Sequence, residues 1–351
     1  MWIDSKIYEE DLNNIINAQT IDWNKFQNKK FFITGATGLI GTTLVNTLLY
    51  ANMKKHLNCT IYAMVRNQNK ALTLYQKQLE QNIGLHVLTG DILAPVLFDT
   101  GKIDYIIHAA SQTSSILFVE KPVETINTTF YGTHNILEYA KAHDAESVIF
   151  LSTMEVYGAP QNDDPIPESH GTDLQTTTVR SSYPISKIMA ENLCVSYAKE
   201  YGLNVKIARL TQTFGPGVSI HDNRIFADFA RCALAKKNIC LHTKGDTKRS
   251  YLYTADAVSA ILHILLYGQN MEAYNVANEN TYCSILDMAK LVARKNNIDI
   301  IYDFAKDPSS CGYAPTLHMN LDTTKLKQLG WKANYDLEHM YDRLINTMQS
   351  C

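Results

Sequence analysis

The stretch FFITGATGLIG, residues 31–41, decides the fold. An apolar run leads directly into a turn with glycines at positions 35, 38 and 41, and a helix-like segment follows. Four of its apolar residues are predicted to face a sheet: Leu44, Val45, Leu48 and Leu49. Glycines permit the tight turn and let backbone amides approach a pyrophosphate at the positive end of the helix dipole. Strand, glycine turn and helix together predict a dinucleotide-binding unit.

Further apolar runs alternate with helix-sized segments along the first 208 residues. They are TIYAMV (60–65), HVLTGD (86–91), YIIHAA (105–110), SVIFLS (147–152) and VKIARL (205–210). Strands separated by helices favour right-handed βαβ units and a parallel sheet that is covered on both faces. We therefore predict an α/β fold: a Rossmann-type doubly wound parallel sheet over 29–208 and a smaller C-terminal substrate-binding domain over 209–351, with segments that return to the Rossmann domain.

Composition argues against several kinds of partner. A formal net charge of −3 gives no pull toward nucleic acid or a membrane surface. The first residues carry acids where a secretory signal needs a basic start, and no later run approaches the length of a membrane span. Seven cysteines without a C-x-x-C pair predict reduced thiols in a cytoplasmic protein, with neither a disulfide framework nor a metal site.

Residues 1–28 precede the first strand and read as a helical extension. Trp2, Ile7, Leu12 and Ile15–Ile16 have near-helical spacing, which predicts an amphipathic segment. Its apolar face could pack on the core of the same chain or on another subunit, and the sequence leaves both open.

A second motif, SSYPISK, places Tyr183 and Lys187 four residues apart. On a helix running to about Tyr201 they share one face. We expect the lysine ammonium to lower the pKa of the phenol, so that a tyrosinate can take a proton from a substrate alcohol while hydride leaves to a nicotinamide.

Ordered matches from Lys30 onward resemble the extended short-chain dehydrogenase/reductase family, the nucleotide-sugar epimerases, dehydratases and decarboxylases. Besides GATGLIG and YPISK they are TGD (89–91), HAA (108–110), NTTFYGTHNILEYAK (127–141), STMEVYG (152–158), RLTQTFGPG (209–217), RSYLYTADA (249–257), YNVANE (274–279) and LDTTKLKQLGWKANYDLEHM (321–340). The resemblance implies a tightly bound NAD or NADP and a nucleoside-diphosphate sugar that is transiently oxidised at C4. It also implies a homodimer formed by helices that begin near Asn127 and Pro184.

The resemblance also implies roles for individual residues. It implies a cofactor site of Gly35, Thr37, Gly38, Leu39, Ile40, Gly41, Arg66, Asp91, Ile92, Ala109, Ala110, Tyr183 and Lys187. It implies substrate contacts from Ser111, Gln212 and Arg249, with Arg249 clamping the diphosphate. Arg66 stands where an acid would hold the ribose of NAD. An arginine there could hold the 2′-phosphate of NADP, stack on adenine with NAD bound, or simply be solvated, so both cofactors stay open.

The catalytic residues implied are Thr153, Glu155, Tyr183 and Lys187, with Thr153 sharing a hydrogen bond to the C4 hydroxyl. Glu155 resembles the glutamate of two subgroups, the UDP-glucuronate decarboxylases and the GDP-mannose 4,6-dehydratases. Met154 replaces the acid that dTDP-glucose dehydratases use to protonate the departing hydroxyl, and RSY at 249–251 favours the decarboxylase. A 4-epimerase, a purely structural Glu155 and a non-catalytic NAD(P)-sensing protein are the remaining alternatives.

Overall fold

The computed structural model describes residues 1–304 and 316–348. The strands are β1 Lys30–Thr34, β2 Thr60–Val65, β3 Leu85–Thr89, β4 Tyr105–His108, β5 Ser147–Thr153, β6 Val205–Leu210, β7 Gln212–Phe214, β8 Ile239–Leu241, β9 Lys248–Tyr253, β10 Ala273–Val276, β11 Asn278–Ser284, β12 Ile300–Tyr302 and β13 His318–Met319. The helices are α1 Lys6–Ile16, α2 Leu39–Lys55, α3 Gln68–Leu74, α4 Gln76–Glu80, α5 Ser115–Glu120, α6 Pro122–Ala142, α7 Ser182–Tyr201, α8 Ile225–Ala235, α9 Thr254–Tyr267, α10 Ile285–Asn296, α11 Thr324–Gln328 and α12 Leu337–Met348.

The main sheet has seven parallel strands in the order β10-β6-β5-β4-β1-β2-β3. The predicted doubly wound α/β fold is therefore confirmed, and all six predicted strands lie in this sheet. The seventh strand, β10, was not predicted as a strand. It belongs to the later half of the chain and pairs in parallel with β6 at the edge of the sheet. Strand order reverses between β1 and β4, where folds of this kind place their ligand cleft.

Helices cover both faces of the sheet because successive side chains of each strand point to opposite sides. Phe31 and Ile33 belong to a core shared with α1, α2 and α9, whereas Phe32 belongs to a second core shared with α6 and α7. The four helix residues predicted to face the sheet are all buried: Leu44, Val45, Leu48 and Leu49.

Helix α6 begins earlier than the sequence suggested. A start near Asn127 was expected, but the helix begins at Pro122, because proline lacks the N–H that a first helical residue leaves unused. Helix α7 runs to Tyr201, as predicted, and Gly202 ends it with a φ of 75°.

The N-terminal extension packs on the core of its own chain, which answers the question that the sequence left open. Tyr8, Leu12 and Ile15 of α1 are buried in the core that includes α2 and α9. Tyr8 Oη accepts a hydrogen bond from Asn46 Nδ2 at 3.1 Å. Asp11 forms an ion pair of 2.7 Å with Arg343 of α12, so the extension ties the two ends of the chain together.

The later half of the chain builds small sheets beside the carboxyl ends of the main strands. Strand β9 pairs with β7, β11 and β13, and β8 pairs with β12. The five cysteines among the described residues are free thiols; Cys311 and Cys351 lie outside those residues. In the same part of the chain, no helix is both long enough and apolar enough to cross a membrane.

Candidate active site

A cleft with a volume of about 1430 Å³ runs across the carboxyl ends of the main strands. Every residue that the sequence predicted for cofactor, substrate or catalysis lines this cleft. The fold therefore brings together segments that are far apart in the sequence, from Gly35 to Arg249. Their individual roles stay predictions.

The glycine turn between β1 and α2 has no space for side chains. Gly35 has a φ of 64°, and a Cβ there would lie 2.8 Å from the carbonyl carbon of Ala109. A Cβ on Gly41 would lie 2.2 Å from the carbonyl oxygen of Gly35. Gly38 is the N-cap of α2 and offers no capping side chain, so the first amides of the helix are left for an anion. These features fit the pyrophosphate of a dinucleotide.

A buried hydroxyl network supports this turn from the neighbouring strand. Thr34 Oγ1 accepts hydrogen bonds from the amides of Ala109 and Ala110, each at 3.1 Å. With both lone pairs used, its proton must point to His108 Nδ1, 2.8 Å away. The Ala109 and Ala110 amides are therefore occupied within the protein, and these residues can meet a cofactor only through their other atoms.

The same network fixes the tautomer of His108. Because Nδ1 accepts from Thr34, the proton lies on Nε2, which is 3.3 Å from Thr133 Oγ1. Burial, aided by the Lys187 charge, lowers the pKa of His108 to about 3. The imidazole is neutral at physiological pH.

The predicted adenosine end of the cleft is lined by residues that follow the first three strands. They are Thr37, Leu39, Ile40, Arg66, Asp91 and Ile92. Lys70 also lines it and donates to the Thr37 carbonyl at 3.1 Å; sequence reasoning missed this second cation, four residues after Arg66. Asp91 Oδ1 accepts the Leu93 amide at 3.0 Å, so it shapes the turn after β3.

The predicted catalytic residues meet where β5 ends and α7 begins. Thr153 Oγ1 accepts the Glu155 amide at 3.2 Å and caps a short 3₁₀ turn over residues 154–157. This cap gives a structural reason for a hydroxyl residue two positions before Glu155. Lys187 is buried, and its ammonium donates to the Leu151 carbonyl at 2.7 Å.

The electrostatics of Tyr183 differ from the sequence-based prediction. Burial, followed by the Glu155 charge, raises the pKa of Tyr183, whereas a hydrogen bond with Thr153 and the charge of Arg180 oppose that rise. Burial also lowers the pKa of Lys187 to about 8. The expectation that the Tyr183 pKa is lowered is therefore wrong for the protein's own groups, because desolvation disfavours the anionic phenolate and outweighs the hydrogen bond with Thr153 and the charge of Arg180.

Two residues that sequence reasoning missed complete this part of the cleft. Phe118 of α5 stacks on the Tyr183 ring, with centroids 4.2 Å apart and planes 3° apart. Arg180 forms an ion pair with Glu155 at 2.9 Å. The sequence held one signal for Arg180, which lies three residues before Tyr183, where the chain turns into α7. Nothing in the sequence pointed to Phe118.

The predicted substrate residues occupy the other wall of the cleft. Arg249 Nη1 donates to Gln212 Oε1 at 3.2 Å. Arg249 Nε is buried and has no hydrogen-bond partner among the described residues, so the guanidinium has a donor left for an anionic ligand. Ser111 Oγ donates its proton to the Gln112 carbonyl at 3.3 Å, so the hydroxyl oxygen can meet a substrate only as an acceptor while that bond lasts.

The sequence predicted no metal site, and this stays a prediction. Within the described residues, the side chains of Cys240, His242 and Asp303 place possible ligand atoms within 4.8 Å of one another. Pairing of β8 with β12 brings them to neighbouring positions, and His242 Nδ1 already contacts the Asp303 carbonyl at 3.0 Å. No step below depends on a metal.

Known proteins resemble this chain in both sequence and fold. Residues 31–277 match the NAD dependent epimerase/dehydratase family. The chain is 30% identical over 318 residues to UDP-glucuronic acid decarboxylase 5 of Arabidopsis thaliana, a match covering 88% of this chain and 86% of that relative.

Two solved structures share the fold. UDP-glucose 4-epimerase from Thermotoga maritima, solved with UDP-glucose, has a TM-score of 0.78 at 22% identity, covering 92% of this chain and 99% of that one. UDP-glucuronic acid 4-epimerase from Bacillus cereus, solved with UDP-glucuronic acid and NAD, has a TM-score of 0.75 at 20% identity and the same coverage. With its glycine turn and its tyrosine–lysine pair in one cleft, this chain belongs to the NAD dependent epimerase/dehydratase family.

Proposed function

We propose that this protein is a UDP-glucuronate decarboxylase-like enzyme that acts through transient oxidation of the sugar at C4. Relatives in sequence and in structure are nucleotide-sugar decarboxylases and epimerases, and the family depends on NAD. The observation that carries the narrower proposal is the environment of residues 153–155. One acid, Glu155, faces the cleft beside Arg180, and the residue before it is a buried methionine.

The glycine turn and the adenosine end of the cleft fit NAD, with Gly35, Gly38 and Gly41 allowing the pyrophosphate to approach the backbone. NAD, when bound, supplies the acceptor for the C4 hydride and a positive charge that favours the Tyr183 phenolate. Arg66 and Lys70 lie at the ribose end and are compatible with NADP as well.

Tyr183 has the proton-transfer role in this proposal. Its phenolate accepts the proton of the C4 hydroxyl and returns it to the C4 oxygen when the ketone is reduced. Thr153 stabilises the phenolate by hydrogen bonding. The Lys187 ammonium, 5.9 Å from the centre of the Tyr183 ring, adds its positive charge to that of the bound cofactor. The Phe118 ring holds the phenol in place during both transfers.

Oxidation at C4 makes the C6 carboxylate of a uronic acid β to a ketone. The C5–C6 bond then breaks, its electron pair moves toward C5 and the C4 oxygen, and CO2 leaves; a proton returns to C5 before the ketone is reduced. No acid is needed to protonate a departing hydroxyl. Met154 suits this chemistry, since it is buried and its sulfur contacts Thr211 Oγ1 at 3.3 Å.

The test is mass spectrometry of the purified protein incubated with NAD or NADP and, separately, with UDP-glucuronate, GDP-mannose, dTDP-glucose and UDP-glucose. We expect UDP-glucuronate alone to lose the mass of CO2. Replacing Glu155 by Gln should leave C4 oxidation intact and slow CO2 loss. An unchanged product yield in that variant would return Glu155 to a structural role.

A 4,6-dehydratase of the GDP-mannose type is the second candidate. It is favoured by one observation: Glu155 lines the cleft next to Tyr183, where a base for the C5 proton would be required. In the same experiment this activity would remove the mass of water from a neutral hexose. A 4-epimerase would leave the mass unchanged and alter only the chromatographic position of the sugar.

We also propose that two copies form a homodimer. Helices α5 and α6 expose apolar side chains at three-residue spacing, Ile116 with Val119 and Val123 with Ile126, and α7 exposes Met189. The exposed fraction of Val123 is 67%, whereas Thr125, two residues further along α6, is buried. A second copy of this face is the partner that would cover these residues.

A further inference from the structure

The ion pair between Glu155 and Arg180 lies inside the cleft and not on the outer surface. Arg180 Nη2 donates to Glu155 Oε2 at 2.9 Å, and the two side chains are 34% and 30% exposed. Both residues line the cleft together with Tyr183. A substrate that reaches Tyr183 must therefore pass close to both charges.

Aromatic packing holds the guanidinium near the reacting phenol. The Arg180 guanidinium carbon lies 5.1 Å above the Phe118 ring, and Phe118 stacks on Tyr183. Ser182 Oγ donates to the Phe118 carbonyl at 2.8 Å, which fastens α5 to the start of α7. Arg180, Phe118 and Tyr183 thus form one layered unit whose relative positions are set by contacts within the protein.

The charges at this point limit which sugars can bind. A carboxylate at C6 of the substrate would enter a space that already holds the Glu155 carboxylate, and like charges that close repel each other. Among the described residues, Arg180 makes a single side-chain hydrogen bond, from Nη2 to Glu155. Its Nε and Nη1 donors are available for a second anion, and a guanidinium can bind two carboxylates at once because its donors form a fixed planar fork.

We propose that Arg180 is the specificity-determining residue for a substrate carboxylate: it binds a C6 carboxylate beside Glu155 and so selects uronic acids over neutral hexoses. This inference rests on the proposed function, since it concerns the same cleft and the same class of nucleotide sugar. A neutral sugar offers no anion to the free donors of Arg180 and gains nothing from them.

The test compares ligand affinities and does not rely on turnover. Dissociation constants of UDP-glucuronate, UDP-glucose and UDP are measured calorimetrically on NAD-loaded wild-type protein and on Arg180→Met, which keeps the apolar contact with Phe118. We expect the substitution to raise the dissociation constant of UDP-glucuronate by roughly 10- to 100-fold, because that factor corresponds to the loss of a charge-assisted hydrogen bond. The dissociation constants of UDP-glucose and UDP should rise by less than about threefold. Equal weakening of all three ligands would show a structural role and overturn the proposal.

A matched control is Arg224→Met, which removes another arginine of the cleft wall, paired with Asp222 at 2.6 Å. Any change it causes should be the same for UDP-glucuronate and UDP-glucose. The double variant Glu155→Gln with Arg180→Met separates direct binding from charge neutralisation. If the double variant recovers wild-type affinity for UDP-glucuronate, Arg180 only neutralises Glu155 and the proposal is wrong.

Wild-type behaviour distinguishes this inference from the proposed function. If wild-type protein binds UDP-glucuronate no tighter than UDP-glucose, the selecting role of Arg180 is overturned. If it prefers UDP-glucuronate, loses that preference in Arg180→Met, and yet releases no CO2, the role of Arg180 stands and the decarboxylase proposal fails.

Discussion

The phenol ring of Tyr183 and the ring of Phe118 are stacked 4.2 Å apart and within 3° of parallel. Phe118 lies on α5 and Tyr183 on α7, so two separate helices determine the orientation of the proposed proton acceptor. The stack covers one face of the phenol and leaves its hydroxyl beside Thr153. The tyrosine–lysine motif supplies the reacting group, but a residue 65 positions earlier holds it in place.

Replacing Tyr183 by Phe should abolish turnover while cofactor binding stays intact. The substitution keeps the stack on Phe118 and removes only the hydroxyl, so we expect product formation to fall at least about 100-fold. Product yield by mass spectrometry and NAD affinity by fluorescence titration would check this. Tyr197→Phe is the matched control, because that hydroxyl on the same helix bonds Glu138, 2.6 Å away, outside the cleft. Full activity in Tyr183→Phe would end the proposed mechanism.

Replacing Gly41 by Ala should weaken NAD binding at least about tenfold. The new Cβ would lie 2.2 Å from the Gly35 carbonyl oxygen, so the turn must shift away from the position that suits a pyrophosphate. Calorimetric titration with NAD measures the effect. Gly171→Ala provides the control, since a Cβ there meets no atom within 4 Å. Wild-type affinity in Gly41→Ala would mean that the turn does not hold the cofactor.

Acid should destabilise the protein through His108. Its pKa is about 3 in the folded protein and 6.5 when unperturbed, so the unfolded state binds more protons between these values. Above pH 6.5, His108 therefore adds no pH dependence to the free energy of unfolding. Below pH 6.5, the free energy of unfolding falls by up to roughly 1.4 kcal/mol per pH unit. Protonation of Nδ1 would also break the hydrogen bond that Thr34 donates to His108. That bond orients the Thr34 hydroxyl, which accepts the Ala109 and Ala110 amides.

The measurement is urea unfolding at pH 7.5 and pH 4.5, with wild type and His108→Asn compared. The asparagine oxygen can accept from Thr34 but does not titrate, so the variant should lose less stability on acidification than the wild type. His86→Asn, at an exposed histidine on β3, should retain the wild-type pH dependence. Identical pH dependence in wild type and His108→Asn would contradict the assignment.

Arg66 should matter more for NADP than for NAD. It follows β2 directly, Lys70 lies beside it in the cleft wall, and residues 66–70 contain no acid to repel a 2′-phosphate. Replacing Arg66 by Ala should lower the affinity for NADP by roughly tenfold or more and the affinity for NAD by less, because the 2′-phosphate of NADP gains charge-assisted hydrogen bonds from a guanidinium. Equal effects on both cofactors would instead favour stacking of Arg66 on adenine.

A charge at Val123 should separate the proposed dimer. Val123→Asp places a carboxylate in the middle of the apolar face of α5 and α6, where a second copy would have to desolvate it. Light scattering after size-exclusion chromatography should then report half the wild-type mass. Met53→Asp, at an apolar residue of α2 that is 40% exposed, should leave the mass unchanged. A wild-type protein that is already monomeric would refute the dimer.

Local sequence patterns were sufficient for the framework of the fold. The six predicted strands, the glycine turn and the face shared by Tyr183 and Lys187 depend on residues close together in the chain, where periodicity and turn chemistry act. The seventh strand escaped prediction because its four residues are stabilised by pairing with β6, and neither their number nor their spacing is distinctive. The start of α6 was likewise placed too late, because a single residue, Pro122, marks it.

By itself, the sequence determined the class of the protein: a dinucleotide-binding α/β sheet with the residues of a nucleotide-sugar enzyme placed at the ends of its strands. Only the tertiary structure decided that α1 packs on its own chain, that Phe118 holds Tyr183, and that Arg180 pairs with Glu155. It also reversed the expected direction of the Tyr183 pKa. The physical reason is that ion pairing, ring stacking and desolvation depend on which side chains meet in space, and a linear pattern does not contain those distances.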